Sequence, residues 1–293
     1  MKLESFATLD AVLRGGSLAA AASEMNLSPS AVSMQMKQME GYFGQALFDR
    51  STLQVRPTPF AIELNESLQG MLGTVESMRQ RRSPVVQGRV RVGVIETMQA
   101  SLLPGAMRHL HQRYPRLEVV PVRGRSVELL ESLKAGKVDA AVMAQPESGG
   151  SSRLHWHGLL RKELVLVAPP DVEASSVDTL LRTRDLIGFD KTTIGGRLAA
   201  RYLSERGFAG RATMELQSTH AVVAMVSAGL GVSIILMPDP RVCIGYPVRI
   251  LQLGEGTPSM RIALTCRKAD AEGKVFKALQ EAFGSALKGI AER

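Results

Sequence analysis

The chain has 293 residues, 45% of them hydrophobic and 22% charged, with two cysteines and a formal net charge of +8. That length allows two or more domains with proper cores, and the composition is that of a globular chain rather than a disordered one. Two cysteines exclude a disulfide framework and a tetrahedral thiolate metal site, and no run approaches the roughly eighteen apolar residues of a membrane span.

The charge is unevenly placed. Residues 1–88 hold eight basic and eight acidic residues, and residues 89–293 hold 28 basic and 20 acidic ones. Net charge therefore does not by itself argue for nucleic-acid binding by the N-terminal part; any cation there acts locally. The opening MKLESFATLD carries acids where a signal peptide has an apolar core, so the expected location is the cytoplasm.

In chain order, Leu3, Phe6, Leu9 and Leu13 stand near helical spacing, and Gly15-Gly16 ends that helix. Ser17 to Glu40 then reads as two short helices with a tight turn. Ser17 caps an Ala-rich first helix, Met25-Asn26-Leu27 breaks it, and Ser28 caps a second with Pro29 at its first position. In the second helix Val32, Met36, Met39 and Phe43 form one apolar stripe that must pack inward. Ser30, Ser33, Met34 and Lys37 fall on the opposite face. That face suits a DNA major groove, where a helix offers hydroxyls and a cation to base edges and phosphates. The alternative is an ordinary helical hairpin with a solvated face.

Residues 46–58 turn extended, and two short strands with a turn near Ser51-Thr52 would make a wing whose Arg50 and Arg56 reach phosphates or the minor groove. After Pro57-Thr58-Pro59 a long helix is expected to about Arg82. Its Leu64, Leu68, Met71, Val75 and Met78 are spaced four, three, four and three, the seam of a coiled coil that pairs with its copy. Ser83-Pro84 marks a boundary.

From Arg89 strands and helices alternate, the signature of parallel sheets with crossover helices. Strands are expected around 90–94, 117–122, 138–143, 164–168, 186–189, 232–237 and 260–266. Helices are expected around 102–114, 127–135, 195–206, 219–228 and 272–288. This makes two α/β lobes. No nucleophile–base motif or phosphate loop is visible, and the pairs His109/His111 and His155/His157 lack a third ligand, so neither an enzyme nor a metal site is expected.

With these residues in place the chain resembles the LysR-type transcriptional regulators over essentially its whole length. Phe6, Ser17, Ala21-Ala22, Leu27-Ser28, the run Ser30-Ala31-Val32-Ser33, Gln35, Met39-Glu40, Leu47-Phe48 and Arg50 carry the likeness at the N-terminus. Leu103-Pro104, Tyr114-Pro115, Gly136-Lys137-Val138-Asp139 and Val226 to Gly231 carry it later. The resemblance implies a winged helix-turn-helix domain over 1–58, a linker and dimerisation helix over 59–87, and a two-lobed, periplasmic-binding-protein-like effector domain over 88–293. Lobe one would take 88–161 and 268–293, and lobe two 162–267, with crossovers near 144–161 and 267–268. It also implies double-stranded DNA as a partner, a homodimer or homotetramer, a small-molecule effector with no other cofactor, and contact with RNA polymerase. Ser28 and Pro29 join the DNA-facing set. The family usually has a basic residue where Met34 stands, and Pro57-Thr58-Pro59-Phe60-Ala61 replaces its usual pattern before the linker helix.

Ligands of open parallel sheets sit beyond the C-terminal strand ends, at helix N-termini. That places the expected effector contacts at Thr97, Met98, Gln99, Ser101 and Ser126 of lobe one and at Thr192, Thr193, Ile194, Ser218 and His220 of lobe two. The competing reading is that these hydroxyls only cap their own helices. Glu96 and Asp190 at the same mouths oppose a fully anionic ligand. Two other functions share parts of this pattern: a transporter's solute-binding protein, and a DNA-binding repressor that needs no effector.

Overall fold

The computed structural model describes residues 2–49, 56–80, 85–146, 150–173 and 176–291. The chain divides into two compact units, 1–83 with 134–138, and 84–133 with 139–293.

The first unit is built on capped helices. Helix α1 (Leu3–Gly15) ends at Gly16, whose φ of 66° lets its N–H return to the Val12 carbonyl. The Ser17 hydroxyl accepts from the Ala20 N–H and opens α2 (Leu18–Met25), which closes at Asn26 in the left-handed region. The Ser28 hydroxyl accepts from the Ala31 N–H and opens α3 (Pro29–Phe43), with Pro29 where its missing N–H costs nothing. Leu9, Val12, Ala21, Ala22, Val32, Met36, Met39 and Leu47 are buried together, with Phe6, Leu13 and Phe43 packed on them. Strands β1 (Phe48–Asp49) and β2 (Arg56–Pro57) pair antiparallel, Phe48 opposite Pro57. The Thr58 hydroxyl donates to the Ala46 carbonyl and accepts from the Ala61 N–H. It thereby fixes the start of α4 (Pro59–Gln80). One carboxylate of α1 holds α4: Asp10 accepts from Asn65 (3.2 Å) and Gln69 (2.9 Å).

The second unit begins with β3 (Gly88–Val94), α5 (Glu96–Arg113), β4 (Leu117–Arg123), α6 (Ser126–Lys134) and β5 (Ala140–Ala144). Next come the 15-residue β6 (Leu154–Ala168), α7 (Val177–Thr183), β7 (Leu186–Phe189), α8 (Ile194–Glu205) and β8 (Ala212–Leu216). Then follow α9 (Thr219–Ser227), β9 (Ser233–Leu236), α10 (Pro240–Gly245), β10 (Arg249–Gln252), β11 (Ser259–Arg267) and α11 (Lys274–Ala291). In lobe one, β4, β3 and β5 are parallel, and β11 runs antiparallel to β5 and to the first part of β6. Helix α11 returns to α5, where Glu281 accepts from the Tyr114 hydroxyl (2.8 Å) and pairs with Arg113 (3.1 Å). In lobe two, β9 and β10 flank the second part of β6, and β7 pairs with β8 in parallel. An isolated parallel bridge from Leu186 to Val232 brings β7 alongside the start of β9. Leu164, Leu166 and Ala168 point to one core with Tyr202 and Leu203, and Val165 and Val167 to another with Val222, Val223 and Val226. This is the period-two alternation of a strand covered on both faces.

The second of the paired crossovers falls elsewhere than expected. The first, expected near 144–161, is made by β6 itself. This strand stays on β11 as far as Glu163, opposite Ser259, and enters the lobe-two sheet at Leu164. The return comes after Gln252 and before β11, not at 267–268, because residues 262–266 of β11 already pair with β5. A 15-residue strand shared by two sheets has no punctuation for sequence reading to catch. Helices α7 and α10, of seven and six residues, are too short for a periodic signal; they and strands β8 and β10 stand outside the expected elements. Among the described residues no helix is long and apolar enough to cross a membrane.

Candidate nucleic-acid interface and effector cleft

Capping and the buried stripe orient α3. With Val32, Met36 and Met39 fixed inward, Ser30, Met34 and Lys37 are exposed and Ser33 is half-buried. Pro29 and Ser28 are exposed at the helix start, where the Ser28 and Ser30 hydroxyls lie 2.9 Å apart. Gln38, four residues after Met34, joins the same exposed strip. Its spacing from Met34 is the signal that places it there. Arg56 is exposed on β2. Arg50 and the turn near Ser51-Thr52 lie outside the described residues.

On α4 the expected seam divides. Leu64 is half-buried and packs on the core of α1 to α3. Leu68 is half-buried, and Met71 (51%), Val75 (39%) and Met78 (56%) are exposed. The outward apolar strip of this helix is thus its C-terminal half.

In lobe one the helix after β3 begins at Glu96, six residues before the expected Leu102. This early start decides the fate of four candidates. Met98 falls on the inward face with Leu102, and both are fully buried in the core. The Gln99 amide donates to the Val94 carbonyl (3.1 Å), and the Ser101 hydroxyl donates to the Thr97 carbonyl (3.3 Å). The Thr97 side chain is exposed. The Ser126 hydroxyl accepts from the Ala144 N–H (3.2 Å), tying α6 to the end of β5.

In lobe two, Thr193 caps α8. Its hydroxyl donates to the Asp190 carbonyl (2.8 Å) and accepts from the Gly196 N–H (3.0 Å), so both of its bonds stay within the turn. Gly196 is required there: a Cβ on it would lie 1.9 Å from the Asp190 carbonyl oxygen. Asp190 accepts from the Thr192 N–H (2.7 Å) and hydroxyl (2.9 Å). Those bonds first, and Arg125 after them, hold its carboxyl below the ordinary range. Ile194 is half-buried. Ser218 makes no side-chain cap on α9, and His220 is exposed.

The two lobes meet through a cation that sequence reasoning passed over. Arg125, just before α6, donates from Nη1 to the Thr192 hydroxyl of lobe two (3.1 Å) and from Nε to Glu128 (2.8 Å). Arg197 donates to the Thr192 carbonyl (2.9 Å). Arg123 pairs with Glu96 (3.3 Å), and Lys191 with Glu215 (3.3 Å). Both signs of charge thus stand on the segments around Arg125 and Thr192. The signal for Arg125 was its place beside Ser126 at a helix start. On β6, half-buried Lys162 donates to the Met237 carbonyl (2.9 Å), and burial holds its ammonium below the usual lysine range.

Cys266 is buried and its thiol is pushed up to about 12, chiefly by desolvation; Cys243 is also raised by burial. His155 meets the Phe276 ring edge-on, centroids 5.6 Å apart. Among the described residues no group of three or more His, Cys, Asp or Glu is placed to hold a metal ion.

Comparison with known proteins fits this geometry. Residues 3–61 match the bacterial regulatory helix-turn-helix protein family, lysR type, and residues 84–288 match the LysR substrate binding domain. The chain is 30% identical over 271 residues to the HTH-type transcriptional regulator CbbR of Xanthobacter flavus, covering 87% of this chain and 78% of that protein. It is 26% identical over 283 residues to a probable hydrogen peroxide-inducible genes activator of Streptomyces viridosporus, covering 93% and 90%. A Corynebacterium glutamicum OxyR mutant superposes with a TM-score of 0.69 at 22% identity, covering 99% of this chain and 95% of that one. A full-length OxyR variant from Pseudomonas aeruginosa gives 0.66 at 20%, covering 97% and 94%; these two likenesses bear on the fold. With both matches in the order and at the places where the structure puts the capped helix pair and the two lobes, the chain belongs to the LysR family of transcriptional regulators.

Proposed function

We propose that this regulator reads double-stranded DNA with the exposed face of α3 and with Arg50 and Arg56 of the wing, and pairs through the outer half of α4 as a homodimer or homotetramer. A small molecule held where the lobes meet controls it. Residues 1–58 serve as the DNA-binding domain, 59–87 as the linker and 88–293 as the regulatory domain. It works in the cytoplasm, catalyses no reaction, and acts on transcription through RNA polymerase. The observation that carries this reading is the division of α3: Val32, Met36 and Met39 are buried, while Ser30, Met34 and Lys37 are presented outward. A weak, formally neutral single module gains strength by pairing, because the second contact becomes intramolecular.

One of the relatives named above, the probable hydrogen peroxide-inducible genes activator, raises the question of peroxide. A thiol attacked by peroxide reacts as the thiolate, which requires a lowered pKa and access. Both thiols here are raised and Cys266 is buried. This supports a reversibly bound effector rather than thiol oxidation as the signal. Thr97 and His220 are the exposed candidates for contacting it, with Thr192 and Arg125 at the junction of the lobes.

The test is a DNA-retardation titration of the full chain at several salt concentrations. Lys37→Ala is expected to flatten the dependence of log affinity on log salt by about one unit, as for one lost phosphate contact. An unchanged affinity and slope in this variant would remove α3 from the interface.

A further inference from the structure

The recognition face of α3 carries a side chain that does not suit phosphate. Met34 is 59% exposed, in the middle of a strip otherwise made of Ser30, Ser33, Lys37 and Gln38. The inward stripe of the helix is formed by Val32, Met36 and Met39 instead. An exposed thioether on an otherwise polar surface gains nothing from water. In a major groove it has one apolar feature to meet, the 5-methyl group of thymine; all other groove-edge groups are hydrogen-bond donors and acceptors that a methionine cannot satisfy. Its neighbours occupy the complementary roles: Lys37 lies one turn on, and Ser30 one turn back, on the same face.

We infer that Met34 reads a thymine methyl in each half-site, making it a residue that sets sequence preference by apolar contact. The inference rests on the reading of α3 as the DNA-facing helix. It also bears on the neutral charge of residues 1–88. With a thioether in place of a cation at the centre of the face, part of the contact becomes insensitive to salt, so discrimination between sequences persists where phosphate attraction is screened.

The experiment uses the full chain and the DNA that it selects from a randomised duplex pool. Each thymine of one selected half-site is replaced in turn by deoxyuridine, which removes the methyl and leaves the hydrogen-bonding edge unchanged. For the wild-type chain, one substitution is expected to weaken binding about fourfold, as for one buried methyl-sized group. Met34→Ala should bind the thymine duplex more weakly and be indifferent to that substitution, while Met34→Leu should stay sensitive. Both variants change an exposed side chain and should keep the wild-type melting temperature. A wild-type chain indifferent to every deoxyuridine overturns the inference, and so does equal sensitivity in Met34→Ala, which would assign the methyl to another residue. The parallel Lys37→Ala titration separates the two levels. If Lys37 matters and the methyl does not, only the inference fails; if neither matters, α3 itself is not the reading helix.

Discussion

The winged unit and the lobes use the same residue types at helix starts, and they spend them differently. On α3 a single serine, Ser28, caps the helix, and the residues facing outward stand within the helix, where the period of burial separates them from the core. In the lobes the expected contacts are themselves at helix starts, and the backbone has first claim. The Thr193 hydroxyl has both its bonds inside its own turn, Ser126 holds Ala144, and Ser101 and Gln99 bond carbonyls in or just before α5. Hydroxyls within a helix body can be assigned by spacing. Hydroxyls at a helix start are ambiguous until the cap is seen, because capping and ligand binding need the same oxygen.

The sharpest way to break that comparison is through the pairing of the winged units. Leu68→Glu with Val75→Glu places two like charges on the outer strip of α4. The expected result is a monomer with operator affinity reduced by about a hundredfold or more, the loss that follows when a linked contact becomes bimolecular. A full-strength dimer by sedimentation would show that the strip is not the seam.

A smaller effect tests the lobes. Thr193→Val should lower thermal stability by about 1 kcal/mol, the usual worth of a cap. Thr97→Val, which disturbs no cap, should leave stability within about 0.5 kcal/mol. If Thr97 touches the effector, calorimetry on Thr97→Val should show about 1–3 kcal/mol less binding, from a polar partner left unpaired. Equal melting curves for wild type and Thr193→Val would show that the cap is dispensable.

The smallest effect concerns Cys266, whose thiol is pushed up to about 12 by burial. A folded-state value raised above the unfolded one makes a contribution that is whole below the ordinary thiol range and is lost as pH rises toward the folded value. Between about pH 8 and pH 10 the melting temperature of Cys266→Ala should therefore fall less than that of the wild type. Identical slopes would show that the thiol ionises as readily folded as unfolded.

Most of the fold was legible, and the failures have physical causes. Ser17, Ser28 and Pro29 announced α2 and α3 because cap chemistry is local. The spacing of Val32, Met36 and Met39 fixed which face turns inward. The start of α5 was missed by six residues because Ile95, its N-cap position, has no capping side chain, so nothing in Glu96–Ser101 announces a helix. Met98, in that stretch, lies fully buried on the inward face of the helix. Arg125 escaped because its partner, Thr192, is 67 residues away in the chain, and no local pattern encodes a meeting between lobes.

The path of β6 has a consequence for how the chain is made. Lobe two is an insertion whose ends, Glu163 and Ser259, lie side by side. All the strands of its sheet have been synthesised by Gln252, whereas lobe one still lacks β11 and α11, which end at Arg267 and Ala291. During vectorial synthesis the inserted lobe can close its sheet first, while β3, β4 and β5 wait on the ribosome with the β5 edge uncovered. An edge of that kind, made of Ala140 to Ala144 and buried in the finished protein, is where nascent chains would be open to mispairing. A chaperone's need to shield this chain should accordingly be greatest in the interval after lobe two emerges and before β11 and α11 follow.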